Sequence, residues 1–289
     1  MRIDMKAVVT LTPSESKRLI AKAVVKMPEV QKAWDEAYLL LADGTTNAFV
    51  VQELLNNRDI SPEKSAIGIN SNGVLCVTRP TTRSNTSNVF YKGEVKTGRS
   101  FAEALADYHK DTVIIKGANA VDTNGFVGII ATGFDGGTIP KIIGPVTSKG
   151  IMLITPVGLE KLIPSVPAAV KALGGASKID ISMGADGGMY CLCNSVVVTE
   201  IEAIKILFDA EATLICCGGV GGNEGAVTLA IEGTENSIPN LVEFLETEIK
   251  GEPPIKGNKG NCELCRYSNC RYCGKKEEEL PVWMQNQKI

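Results

Sequence analysis

Leu19, Ile20, Ala23 and Val24 fall on one face of a helix, and the residues ahead of them carry its start signal. Thr12 can cap, Pro13 suits the first helical position, and Glu15 stands three residues after Thr12, the spacing of a capping box. Pro28 opens a second, shorter helix through Trp34. The period then changes. Tyr38-Leu39-Leu40-Leu41-Ala42 is a short apolar run, the pattern of a strand buried on both faces. It breaks at Asp43-Gly44-Thr45-Thr46-Asn47 into a helix through Leu55.

Two short strands, Ile67–Asn70 and Val74–Thr78, flank the turn signal Ser71-Asn72-Gly73. The polar stretch 80–99 predicts a long loop with a short strand near Phe90. Strand Thr112–Ile115 then runs into Lys116-Gly117-Ala118-Asn119. Strand-like Gly125–Ala131 leads to Gly133-Phe134-Asp135-Gly136-Gly137 and a helix through Val146. A further strand, Ile151–Ile154, ends at Thr155-Pro156. Strands alternating with helices, with glycines after the strands, predict an α/β fold: a Rossmann-like, mostly parallel sheet with its ligand site at the strands' carboxyl ends.

From about Met189 the order becomes strand Tyr190–Val198, helix Thr199–Phe208, strand Thr213–Cys217, glycine-dense turn Gly218–Gly225, strand Ala226–Ile231 and helix Ser237–Ile249. That order reads as a small α+β, ferredoxin-like domain. The expected division is therefore 1–188 for the ligand-binding domain, 189–250 for the small domain, and 251–289 for a linker and metal-binding tail.

The composition is ordinary for a globular chain, with 44% hydrophobic and 22% charged residues. No apolar run approaches the roughly 20 residues that cross a bilayer, and the first residues resemble neither a signal core nor a transit peptide. The expected setting is the cytoplasm, away from membranes. A net charge of −3 carries no basic footprint for nucleic acid. The lone histidine, His109, excludes His-rich catalytic zinc, and its place near a helix end reads as a dipole partner.

Nine cysteines, an odd number, argue against a disulfide framework. Cys262, Cys265, Cys270 and Cys273 form C-x2-C-x4-C-x2-C, two pairs spaced to clasp one ion. The segment around them is too small and polar to order itself, so a metal would supply its fold. Paired C-x2-C favours structural zinc (Zn2+) over a [4Fe–4S] cluster, and four thiolates leave zinc no open position for catalysis. Cys76, Cys191, Cys193, Cys216 and Cys217 lie in apolar runs and read as small buried hydrophobes.

Asp43-Gly44-Thr45-Thr46-Asn47 offers amides and hydroxyls at a helix start, which suits an anion. GTTNAFVVQELL resembles the glycine–threonine loop of ribose-5-phosphate isomerase relatives. KGANAVDTNGFVG is similar to a segment shared in variants with methylthioribose-phosphate isomerase, and GFDGGTIPKIIGPV with IMLITP resembles the next loop, helix and strand. The likeness spans roughly residues 12 to 165, in order, and points to the superfamily that also holds the CoA transferases. It implies a site built from Gly44, Thr45, Thr46, Asn47, Lys116, Gly117, Asn119, Gly133, Gly136 and Gly137. The isomerases carry an aspartate where this chain has Asn119, and an amide cannot shuttle a proton between two carbons. The resemblance thus implies a divergent isomerase- or transferase-like protein that binds a small phosphorylated or acyl metabolite. Asp122 is its remaining candidate acid or base, and a homo-oligomer fits such a protein. A non-catalytic metabolite sensor and an iron–sulfur redox protein are the alternatives.

Overall fold

The computed structural model describes residues 5–83, 88–257 and 259–285. The chain opens with strand β1 (Met5–Leu11), helices α1 (Pro13–Val24) and α2 (Pro28–Glu36), strand β2 (Tyr38–Leu41) and helix α3 (Thr45–Leu55). A hairpin of β3 (Gly68–Ser71) and β4 (Val74–Val77) follows, then β5 (Val89–Tyr91), β6 (Glu94–Val95) and α4 (Phe101–Ala106). Next come β7 (Val113–Ile115), β8 (Ala120–Val121), β9 (Val127–Ala131), α5 (Ile139–Lys149), β10 (Met152–Pro156) and α6 (Val166–Leu173). The last elements are β11 (Gly188–Leu192), β12 (Val196–Val198), α7 (Glu200–Phe208), β13 (Glu211–Gly218), β14 (Ala226–Gly233) and α8 (Ser237–Phe244), which runs on into a π-helical turn. Residues 84–87 of the polar stretch 80–99 and residue 258 of the linker lie outside the described residues. Among the described residues, no helix is long and apolar enough to cross a membrane.

The fold is mixed α/β around a six-stranded sheet of order β12-β10-β7-β2-β5-β6. Its first four strands run parallel, and β5 and β6 add an antiparallel edge. Period-2 alternation divides the central strands between two cores. Leu39, Leu41, Val113, Ile115 and Ile154 pack on one side with Leu19, Ile20, Phe49, Val50 and Ile204 of α1, α3 and α7. Tyr38, Leu40, Ile114 and Leu153 pack on the other with Ile139, Ile142 and Val146 of α5. Both faces are thus covered, which is why the run Tyr38–Leu41 has no exposed member.

A second sheet has the order β1-β14-β13. β1 pairs antiparallel with β14 along its whole length, from Met5 opposite Gly233 to Leu11 opposite Val227. The inward row Val227, Leu229 and Ile231 joins the core beneath α1, α7 and α8. The expected strand Tyr190–Val198 is two strands in two sheets: β11 pairs with β9, and β12 extends the main sheet beside β10. Neither joins β13 and β14, so the small sheet takes its third strand from the N-terminus instead. Cys193, Cys216 and Cys217 are exposed, not buried. Cys193 lies in the break between β11 and β12, and β13 is an edge strand whose ends face water. His109 stands beyond α4 with its ring 3.4 Å from the Asp111 carboxylate.

Candidate functional site

Parallel strands all end on one side of their sheet, and the loops that leave them there share a crevice. Asp43–Asn47 follow β2, Lys116–Asn119 follow β7, and Lys161 closes a 3-10 turn beyond β10. Together with Gly133 and Asp135–Ile139, past β9, these residues line one cleft of about 450 Å³. Gly44, Thr45, Thr46, Asn47, Lys116, Gly117, Asn119, Gly133, Gly136 and Gly137 all stand on its wall. Three glycine-containing turns, far apart in the chain, therefore meet.

Their side chains do different work. Asn47 is buried, and its Nδ2 donates to the carbonyls of Ala42 (2.6 Å) and Ile115 (3.1 Å), tying the ends of β2 and β7 together. The Asn119 Oδ1 accepts from the Ile130 amide at 2.9 Å, which ties the turn leading into β8 to strand β9. Gly136 and Gly137 have φ of +69° and +71°, a conformation open to glycine, and the Gly137 amide donates to Asp135 Oδ1. Asp122, the expected acid or base, is not on the wall. One of its oxygens accepts from the amides of Asn124 and Phe126, and the other accepts from Val166 at the start of α6. This buried carboxylate closes a turn and meets the first amide of α6, away from the cleft wall.

The charge of the cleft comes from several sources. The starts of α3, at Gly44, and of α5, at Thr138, both reach it, and neither has a side-chain cap. Uncapped helix starts present unpaired amides and the positive end of the helix dipole. Three cationic side chains join them: Arg83, Lys116 and Lys161. Arg83 is held by Thr78 through its Nε (3.0 Å) and Nη2 (2.7 Å). Burial pushes the Lys116 ammonium below the usual lysine range, while the Asp43 carboxylate opposes that shift. Burial also pushes the Asp43 carboxyl up, against Arg83, Lys116 and the hydrogen bond from Asn88. Lys161 donates to the Ala118 carbonyl at 2.9 Å, and burial with the charge of Lys17 brings it down to about 8.

Arg83, Lys161, Cys76 and Tyr267 reach the cleft without having been read as site residues. For Lys161 a signal existed, since it is among the first charged residues after the apolar run of β10. The others arrive only by folding. A second hollow, about 740 Å³, adjoins the first and shares Thr45, Asn119 and Lys161 with it.

The C-terminal cysteines lie in a cluster of their own, off the cleft wall. Cys262 and Cys270 are buried, and Cys265 and Cys273 pack beside them in a cluster with Val74, Tyr272, Leu280 and Met284. In each C-x2-C turn the second cysteine's amide donates to the first one's carbonyl, at 3.1 and 3.0 Å, and Gly274 N donates to Cys262 O at 2.8 Å. Burial pushes the Cys262 thiol up and Cys265 to about 12, and neighbouring sulfurs add to both. As the thiols stand, no group of three His, Cys, Asp or Glu side chains among the described residues is set to hold a metal ion. Cys76 of β4 packs on the cluster and faces the cleft, and the Tyr267 hydroxyl donates to Thr132 Oγ1 at 3.0 Å across it.

No known protein family and no curated protein matches the chain. Among solved structures, a D-ribose-5-phosphate isomerase in complex with phospho-erythronic acid resembles it weakly. That likeness has 18% identity over 80% of this chain and 84% of the other, with a TM-score of 0.28, too slight to carry an argument about fold or function.

Proposed function

We propose that the cleft at the ends of β2, β7 and β10 binds a small phosphorylated or acyl metabolite by its anionic group. The observation that carries this reading is the meeting of two uncapped helix starts with the cationic side chains of Arg83 and Lys116 in one cleft. Thr45 and Thr46 add hydroxyls beside the first helix start, and Asp43 and Asp135 are carboxylates on the wall for acid–base work. A non-catalytic sensor is the second reading. It is favoured by the engagement of Asp122 in a turn and by the amide at Asn119, which stands where the isomerases carry an aspartate.

Titration with inorganic phosphate and with sugar phosphates, followed by thermal shift and calorimetry, tests the binding. Lys116→Ala is expected to weaken phosphate binding about tenfold to a hundredfold, the worth of one charge-assisted hydrogen bond, with the unliganded melting temperature nearly unchanged. Equal affinity in the variant would remove Lys116 from the site. Absence of any phosphate effect on the native protein would defeat the reading. Turnover of a bound sugar phosphate separates enzyme from sensor.

We further propose that Cys262, Cys265, Cys270 and Cys273 hold a structural zinc ion. What supports this reading is the donor chemistry, four cysteines gathered in one cluster by two tight C-x2-C turns that the Gly274–Cys262 hydrogen bond joins. Zinc so held would order the tail and offer no open coordination position. Protein purified without oxygen is expected to carry about one zinc per chain and to lose protease resistance of the tail on chelation. Iron and sulfide in its place would favour the redox alternative, and metal-free protein with an intact tail would end the proposal.

A further inference from the structure

Lys161 and Lys116 stand apart from the ion-paired cations of the core, and of the two Lys161 alone lines both hollows. Lys17 of α1 pairs with Glu160 at 2.6 Å, and Arg18 pairs with Glu53 and Glu252. Among the described residues, Lys161 forms no ion pair, and its one recorded hydrogen bond is to a neutral carbonyl, that of Ala118. A buried ammonium without a carboxylate loses hydration for little return. The need is no greater for anion binding, because Arg83, Lys116 and two helix starts already serve it. Lys161 also stands where the two hollows meet, so a molecule seated by its anion in the first hollow passes this amine on its way to the second.

From this placement we infer that Lys161 is a nucleophile, adding to the carbonyl carbon of a phosphorylated aldehyde or ketone held in the cleft to form an imine. In that step the neutral amine forms the C–N bond. The carbonyl oxygen takes up protons and leaves as water, and the imine replaces one N–H pair with a C=N bond, with no change of oxidation state. The inference rests on the anion-binding reading above. The surroundings favour the amine form: burial acts first, then the charge of Lys17 on α1, with Lys116 adding to it, against Glu160 and Glu200. With the group near 8, reactivity should climb up to about pH 8 and then level off, whereas an ordinary lysine keeps gaining to about pH 10.

The test uses the full-length protein with pyridoxal 5′-phosphate, an aldehyde carrying a phosphate, trapped by borohydride and mapped by peptide mass spectrometry. The expected result is one dominant adduct at Lys161. Inorganic phosphate should suppress it, and pyridoxal lacking the phosphate should give about tenfold less. Lys161→Arg removes the primary amine and should abolish the adduct while the unliganded melting temperature stays near that of the native protein, which separates lost chemistry from lost folding. Labelling at Lys116 or spread over surface lysines overturns the inference. If phosphate stabilises the protein and Lys161 is not trapped, the imine falls and the anion site stands. If pyridoxal and its phosphate label Lys161 equally, the anion site falls and takes the proposed substrate class with it.

Discussion

Arg18→Met is expected to destabilise the protein by about 3 kcal/mol, toward the lower end of what breaking a buried ion pair costs. The Arg18 side chain is only 1% exposed, and it joins three parts of the chain. Its guanidinium lies 4.4 Å from the ring centre of Phe49, bonds Gln52 and Glu53 on α3, and meets Glu252 beyond α8 at 2.8 and 3.2 Å. Methionine fills much of the volume but leaves two largely buried carboxylates facing each other. The loss stays near the lower end because Arg58 still reaches both, at 3.6 and 3.2 Å. Urea unfolding checks it. The triple variant Arg18→Met, Glu53→Gln, Glu252→Gln should recover most of the loss, since it removes the stranded charges with the cation. A loss below about 1 kcal/mol in the single variant would mean that these pairs are solvated and that packing alone joins α1 to α3.

Asn47→Asp should damage both fold and site. The native amide donates to two carbonyls, Ala42 and Ile115, at the ends of adjacent parallel strands. A carboxylate there turns both contacts into acceptor against acceptor inside a buried corner, at a cost of about 2–4 kcal/mol. Its negative charge would also sit on the first turn of α3, where the proposed anion belongs. Phosphate affinity is therefore expected to fall by more than about tenfold, together with a lower melting temperature. That joint loss distinguishes this variant from Lys116→Ala, which should lose binding alone. An unchanged melting temperature in Asn47→Asp would show that the two strand ends do not need this tie.

Much of the scaffold is written in local pattern. The apolar runs that became β2, β7 and β10 are readable because a strand covered on both faces has no polar side to show. The capping boxes at Thr12 with Glu15 and at Thr199 with Glu202 form as their spacing indicates, since each is a contact within one helical turn. The same holds for the glycine turns of the cleft, whose positions after strands are legible one by one. β1 was not legible. Its alternation of exposed and half-buried residues is weak, and its partner β14 lies more than two hundred residues away. The break inside Tyr190–Val198 was hidden for a related reason, because an apolar run does not say which of two sheets each half will join. Asp122 shows what contacts add: in the sequence, Asp-Thr-Asn-Gly reads as a natural turn as well as a source of a carboxylate, and in the fold its oxygens lie on three backbone amides.

By itself, the sequence determined the alternation of strands and helices, the helix starts, the glycine turns and the C-x2-C spacing, all of which depend on neighbours a few residues apart. Tertiary structure alone decided that these turns share one cleft, that Arg83, Lys161 and Tyr267 reach it, and that Cys76 packs against the distant thiols. The physical reason is range. Capping, turn geometry and periodicity act within a few residues, whereas a cleft is made where chain segments with no local reason to meet are held together by a common core.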